Sequence, residues 1–287
     1  MSVHFRWEAH EFHRLLASCH SDDAAPFILR YIDKQGPTLE VGCGLGRFLA
    51  FMEQQGFQDV RGIDISADAV AIVHRMAPNL NVTRGDVSKL PFEDSSIRGV
   101  VSLGVVEHFQ DGPQAALREI ERVLMPGATA IITVPYLNFV RRFKHAAGIY
   151  EVSERLRAMR ATASTNAQED VVARSIARLD RESFLSEGSA SYQFSRWPTK
   201  GPFFEYRFSP RQFEKELLSV GLSILERTPI DAVSGMFYEF GAPLVRSSTS
   251  GQRDLTRIGH TFNWTLSRAL WIHAHMLLFA VHKDEMA

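Results

Sequence analysis

Glu40, Gly42, Gly44 and Gly46 place an acid and three glycines at alternate positions, and no other stretch of this chain is so well suited to hold a ligand. A short apolar run, Thr38 to Val41, leads into them; Phe48, Phe51 and Met52 follow at helical spacing. The order reads as strand, tight turn, helix. Glycine permits positive φ and lets a ligand approach main-chain N–H groups, and a helix N-terminus adds unpaired donors. A dinucleotide-binding turn, G-x-G-x-x-G, wants its third glycine where this chain has Arg47. A carboxylate at Glu40 is a poor neighbour for a pyrophosphate but suits a ligand that carries an ammonium group.

Other residues could join such a site. Asp64 closes a strand-like run from Asp59 to Ser66. An acid there can accept the ribose hydroxyls of an adenosine-bearing ligand, as it does in NAD enzymes, so it does not choose between ligands. Asp86 lies next to the end of the run Leu80 to Val87, where it is either a turn former or an acceptor for an exocyclic amine. His108 follows Ile97 to Leu103, a nearly continuous apolar run expected of a central parallel strand. Its imidazole suits general-base work near neutrality, and equally a structural role in the loop. His10 and His13 lack metal-ligand spacing, so no metal is expected.

The elements that must position these groups alternate between strand and helix. Ser66 reads as the N-cap of a helix after the second strand, and Asp111 with Gln114 as the start of a helix carrying Leu117, Ile120 and Leu124. Leu124 to Gly127 reads as its stop, and Ala128 to Pro135 as a fifth strand. Residues 137–205 break the alternation with a charged helical stretch, Glu151 to Phe184, and an aromatic segment ending at Tyr206. Ser209, Pro210 and Gln212 mark another helix start, Leu222 to Arg227 a sixth strand, residues 230–254 a loop, and Met276 to His282 a last strand. The 287 residues carry a net charge of −1 and two cysteines, Cys19 and Cys43. That balance argues against a global field for nucleic acid and against a disulfide framework. No run of the sequence is long enough to span a bilayer and no leader is evident, so a cytoplasmic setting is expected.

The E-x-G-x-G-x-G turn, "GDV…LPF", "VVSLGVVEHF" and "REIERVLMPGATAIITVP" together resemble class I S-adenosylmethionine (SAM) methyltransferases, in particular the broad type 11 family, over residues 38–136. The resemblance implies an α/β fold: a doubly wound, seven-stranded, mostly parallel, Rossmann-like sheet with an inserted, mainly helical cap. The last strand should lie antiparallel between the fifth and sixth. It implies N-terminal helices and a SAM-binding half at 1–136, a cap on the acceptor side at 137–205, and the rest of the core at 206–287. SAM, or its product S-adenosylhomocysteine, would lie against Glu40, Gly42, Cys43, Gly44 and Gly46 with its amino acid end. Asp64 and Ile65 would meet the ribose, Asp86 and Val87 the adenine, and Leu103 and Gly104 the methionine portion. Trp7 or Phe5 could help close the site. His108, then Tyr136 and His145, are the bases to consider. Arg141, Phe204 and Tyr206 would contact an acceptor, expected to be a small molecule or a glycan- or lipid-linked intermediate rather than nucleic acid. The acceptor atom, oxygen or nitrogen, is left open. Two other readings stay open: a catalytically silent SAM-binding partner subunit, and an NAD-linked oxidoreductase.

Overall fold

The computed structural model describes residues 9–147, 193–197, 201–240, 243–247, 253–266 and 269–285. The chain divides into two compact units: residues 1–136 with 210–231 and 276–287, and residues 137–209 with 232–275.

The first unit is a seven-stranded sheet flanked by helices. Its strands in chain order are β1 (Pro37–Val41), β2 (Asp59–Asp64), β3 (Asn81–Arg84), β4 (Ile97–Leu103), β5 (Leu124–Pro135), β8 (Leu222–Ile230) and β11 (Met276–Lys283). In space they run β3-β2-β1-β4-β5-β11-β8. The first five pair in parallel, and β11 lies antiparallel between β5 and β8. The strand order reverses at β1, so the ends of β1, β2 and β4 open on a common crevice, where ligands bind in open α/β sheets. β1 and β4 sit in the middle of the sheet, and their near-unbroken burial is what covering on both faces demands.

The helices bury one stripe each. In α3 (Arg47–Gln54) that stripe is Phe48, Leu49, Phe51 and Met52; in α4 (Ala67–Met76), capped by Ser66 accepting from Ala69 N at 3.2 Å, it is Ala69, Val70, Ile72 and Val73. In α5 (Gln114–Val123) it is Ala116, Leu117, Ile120 and Val123. Two short N-terminal helices, α1 (Phe12–Ser18) and α2 (Ala25–Tyr31), precede β1. Two local readings need correction. The α5 N-cap position is Pro113, not Asp111, and the strand after it begins at Leu124, because Met125, Pro126 and Gly127 extend β5 rather than closing a helix.

The second unit contains α6 (Phe139–Ala146), a hairpin of β6 (Gln193–Trp197) and β7 (Gly201–Arg207), a helix α8 (Ala232–Phe240), a second hairpin of β9 (Val245–Ser247) and β10 (Arg253–Leu255), and α9 (Arg257–Leu266). Ala232–Phe240 is helical where composition suggested a loop, and residues 232–275 cluster with 137–209 instead of with the sheet. The apolar residues Met236, Leu244 and Val245 give that helix and hairpin their own small core. The charged stretch Glu151 to Phe184, together with Phe5 and Trp7, lies outside the described residues. Among the described residues no helix is long and apolar enough to cross a membrane.

Helix α7 (Pro210–Ser219) returns the chain to the first unit and buries Phe213 and Leu217. The Phe213 ring lies 5.2 Å from that of Phe279 on β11. Truncating a fully buried phenylalanine costs about 3–5 kcal/mol. We expect Phe213→Ala to lose that much in urea unfolding, and Leu218→Ala, 58% exposed on the same helix, to stay within about 0.5 kcal/mol. Equal losses in the two variants would contradict this packing.

Candidate cofactor and active site

The turn between β1 and α3 is built by glycines at positive φ: Gly42 at 66°, Gly44 at 53° and Gly46 at 72°. Gly42 has a second reason to be glycine, since a Cβ there would sit 2.5 Å from Val105 Cγ2. Gly42 N donates to Ile63 O at 2.7 Å and Cys43 N to the same oxygen at 3.1 Å, tying the turn to β2. Asp64 at the end of β2 completes the tie. Its Oδ2 accepts from Gly44 N at 2.7 Å and its Oδ1 from Ser66 N at 2.8 Å.

A cavity of about 250 Å³ opens at this turn. Of the eleven cofactor residues expected from the sequence, all but Gly46 line it: Glu40, Gly42, Cys43, Gly44, Asp64, Ile65, Asp86, Val87, Leu103 and Gly104. His108 lines it too. So do Leu15, Leu45, Arg47, Phe48, Ser66, Val105 and Phe109, which no motif singled out as ligand contacts. Arg47 is the informative omission. It stands where a dinucleotide turn has its third glycine, and it reaches away to pair with Asp22 at 2.8 Å and Ser18 Oγ at 3.2 Å. Only that misfit with the glycine pattern marked Arg47 in the sequence.

Glu40 is 4% exposed, and its Oε2 has no hydrogen-bond partner. Burial pushes its carboxyl from 4.5 up to about 8; Arg47 opposes the shift and the Asp64 charge adds to it. Asp64 is also buried, but its backbone bonds leave a second lone pair on each oxygen for a ligand hydroxyl. Asp86 is exposed, and its Oδ1 already accepts from Ser88 N at 2.8 Å and Ser88 Oγ at 2.7 Å. His108 Nε2 lies 3.8 Å from Glu107 Oε1, and both side chains are largely buried. Burial likewise holds the Cys43 thiol well above its usual range, leaving it a neutral part of the wall.

The remaining sequence candidates fare differently. Tyr136 is buried at the end of β5 and does not line the cavity. Arg141 is 1% exposed in the second unit, with Nε 2.6 Å from Glu239 Oε1, so it braces that unit and is not available to an acceptor. Tyr206 is 9% exposed and packs on Phe208, a core position rather than a contact surface. The side chains of His145, on α6, and Phe204, on β7, lie outside the described residues.

Residues 39–132 match the family described as a methyltransferase domain. Over that segment the chain is similar to the class I SAM-dependent methyltransferases. Demethylmenaquinone methyltransferase of Chlorobaculum tepidum is 35% identical over 106 residues, which is 37% of this chain and 43% of that protein. The probable tRNA methyltransferase 9B of Bos taurus is 30% identical over 116 residues, 39% of this chain and 24% of its own length. This chain therefore matches less than half of either relative. A solved SAM-dependent methyltransferase from Methanosarcina mazei superposes with a TM-score of 0.55 at 16% identity, covering 91% of this chain and 98% of its own, and shows the shared fold.

SAM is the cofactor of this family, and the cavity fits it on this chain's own evidence. The unpartnered Glu40 oxygen would suit its α-ammonium, and the spare lone pairs of Asp64 would suit its ribose hydroxyls. The buried carboxyl also makes the empty-handed protein sensitive to pH. Folded Glu40 holds its proton up to about pH 8, whereas in the unfolded chain it loses it near 4.5. Its contribution to stability is therefore complete below about pH 4.5 and is lost as pH rises through about 8. We expect the cofactor-free protein to melt at progressively lower temperature from pH 5 to pH 8.5, and Glu40→Gln to flatten that slope. Parallel slopes in calorimetric melts would contradict the burial of this group.

Proposed function

We propose that the protein transfers a methyl group from SAM to an oxygen or nitrogen atom of a small molecule or of a glycan or lipid intermediate. The observation that carries this reading is the buried Glu40 carboxyl with an unpartnered oxygen in the β1–α3 cavity, a position that calls for a cation. When bound, SAM supplies a methyl group already activated on a sulfonium. Glu40 and the turn from Gly42 to Gly46 hold the amino acid end, Asp64 and Ile65 the ribose, Asp86 and Val87 the adenine. Leu103 and Gly104 flank the methionine portion.

The chain's remaining work is to align an acceptor and receive its proton. Alignment of this kind converts a bimolecular step into one of high effective concentration. His108 is the base we assign, because it lines the same cavity and carries Glu107 beside it. General-base catalysis contributes about 10²–10⁴-fold. Acceptor choice we assign to residues outside the segment matched by the family. Among the relatives, one is named for demethylmenaquinone and another for tRNA. The sequence-based expectation of no nucleic-acid acceptor gains no support from them.

Incubating the protein with methyl-labelled SAM and metabolite extracts tests the reaction. Label should move to an extractable product, and His108→Asn should slow that transfer by about a hundredfold while keeping S-adenosylhomocysteine affinity within about twofold. Tight binding of NAD with no affinity for SAM or S-adenosylhomocysteine would overturn the reading. Asp64→Ala removes a charge-assisted hydrogen-bond acceptor, worth about 1.5–3 kcal/mol, and should weaken cofactor binding about ten- to a hundredfold. Unchanged affinity in a folded Asp64→Ala protein would remove Asp64 from the ribose site.

A further inference from the structure

The near-neutral charge of the chain conceals two opposed units. Residues 137–209 and 232–275 hold 16 Lys and Arg against 10 Asp and Glu, a net of +6, and the rest of the chain carries −7. Such an asymmetry sets up a field that concentrates anions near the positive unit.

Within that unit one cation is prepared in an unusual way. Arg253 on β10 donates from Nη1 to Ser234 Oγ at 2.8 Å and from Nη2 to Tyr238 Oη at 2.8 Å. Its guanidinium lies 4.6 Å from the ring centroids of both Phe237 and Tyr238. The two hydroxyls fix the fork without neutralising it, and among the described residues no carboxylate pairs with it. Two of its five N–H donors are used, leaving three. Arg141 and Lys144 in the same unit differ sharply, since both are paired with Glu239.

The surroundings favour an anion at Arg253. His275 stacks on Tyr238 with centroids 4.7 Å apart and an interplanar angle of 29°. Its Nδ1 is 2.6 Å from Arg141 Nη2, which can only donate, so Nδ1 accepts and the neutral ring carries its proton on Nε2. Burial first, then Arg141, Arg207 and Arg253, hold this imidazole well below its usual pKa. Three guanidinium groups thus act on one neutral ring, and Arg253 is the partly exposed one without an acid.

We propose that Arg253 anchors an oxyanion-binding site that takes a small molecule bearing a phosphate or a carboxylate. A planar guanidinium held by neutral partners and stacked on aromatic faces offers its remaining N–H groups to such an oxyanion in fork geometry. The anion binding does not rest on the methyltransferase reading.

Calorimetry on the full chain without SAM, using pyrophosphate and succinate as probes, tests the site. At least one probe should bind the unaltered protein, and Arg253→Gln should weaken that binding tenfold or more while S-adenosylhomocysteine affinity is unchanged. Binding of pyrophosphate alone assigns the phosphate class, and binding of succinate alone the carboxylate class. Should Arg253→Gln fail to fold, Ser234→Ala frees one arm of the fork and is expected to weaken the same probe several-fold. The proposal is overturned if neither probe binds the unaltered protein at millimolar concentration, or if the folded variants bind as well as it does. Loss of S-adenosylhomocysteine binding with anion binding intact counts against the cofactor reading alone.

Discussion

A carboxyl group shut away from water is stable as a neutral acid or beside a cation, and much of the cavity answers that constraint at Glu40. β1 carries the residue into the middle of the sheet, between β2 and β4, where little solvent reaches it. Arg47 stands close enough to lower its pKa, but directs its own ion pair to Asp22, so Oε2 is left without a partner. The arrangement sacrifices stability in the free protein above neutral pH, and a ligand ammonium beside Glu40 would recover it.

Asp64 performs two tasks with one carboxylate. One oxygen holds Gly44 and the other holds Ser66, which itself caps α4. The shape of the glycine turn and the start of the next helix are therefore set by the group we assign to the ribose. Gly42 shows how tightly the turn is closed, with Val105 at the place where any side chain would begin. The assigned base, His108, belongs to the same loop after β4 as Val105, so the loop that closes the turn also presents the base.

The sheet was legible because its signals are local. Apolar runs, the Ser66 cap and the glycine spacing each describe a few neighbouring residues, and the resemblance supplied the antiparallel placement of β11 between β5 and β8. Most of the cavity wall followed from the resemblance, at residues near the ends of β1, β2, β3 and β4. The second unit was harder because its cohesion is not local. Arg141 was expected to contact an acceptor, yet it pairs with Glu239, which lies 98 residues away. Residues 232–240 contain Gly235 and follow Pro229, a composition that suggests a loop; Met236, Val245 and Leu244 nonetheless give the helix a core to lie on. Leu15 and Phe109 line the cavity through tertiary placement, which no spacing rule encodes.

Proton release on binding tests the role of Glu40 most directly. At pH 6.5 a group titrating near 8 is protonated, and an ammonium ligand should displace that proton as the pair forms. Titration calorimetry with S-adenosylhomocysteine in buffers of different ionisation enthalpy should report release of close to one proton, which Glu40→Gln abolishes and which adenosine, lacking the ammonium, does not produce. Binding of S-adenosylhomocysteine with no proton released, or with the same release in Glu40→Gln, would contradict the account.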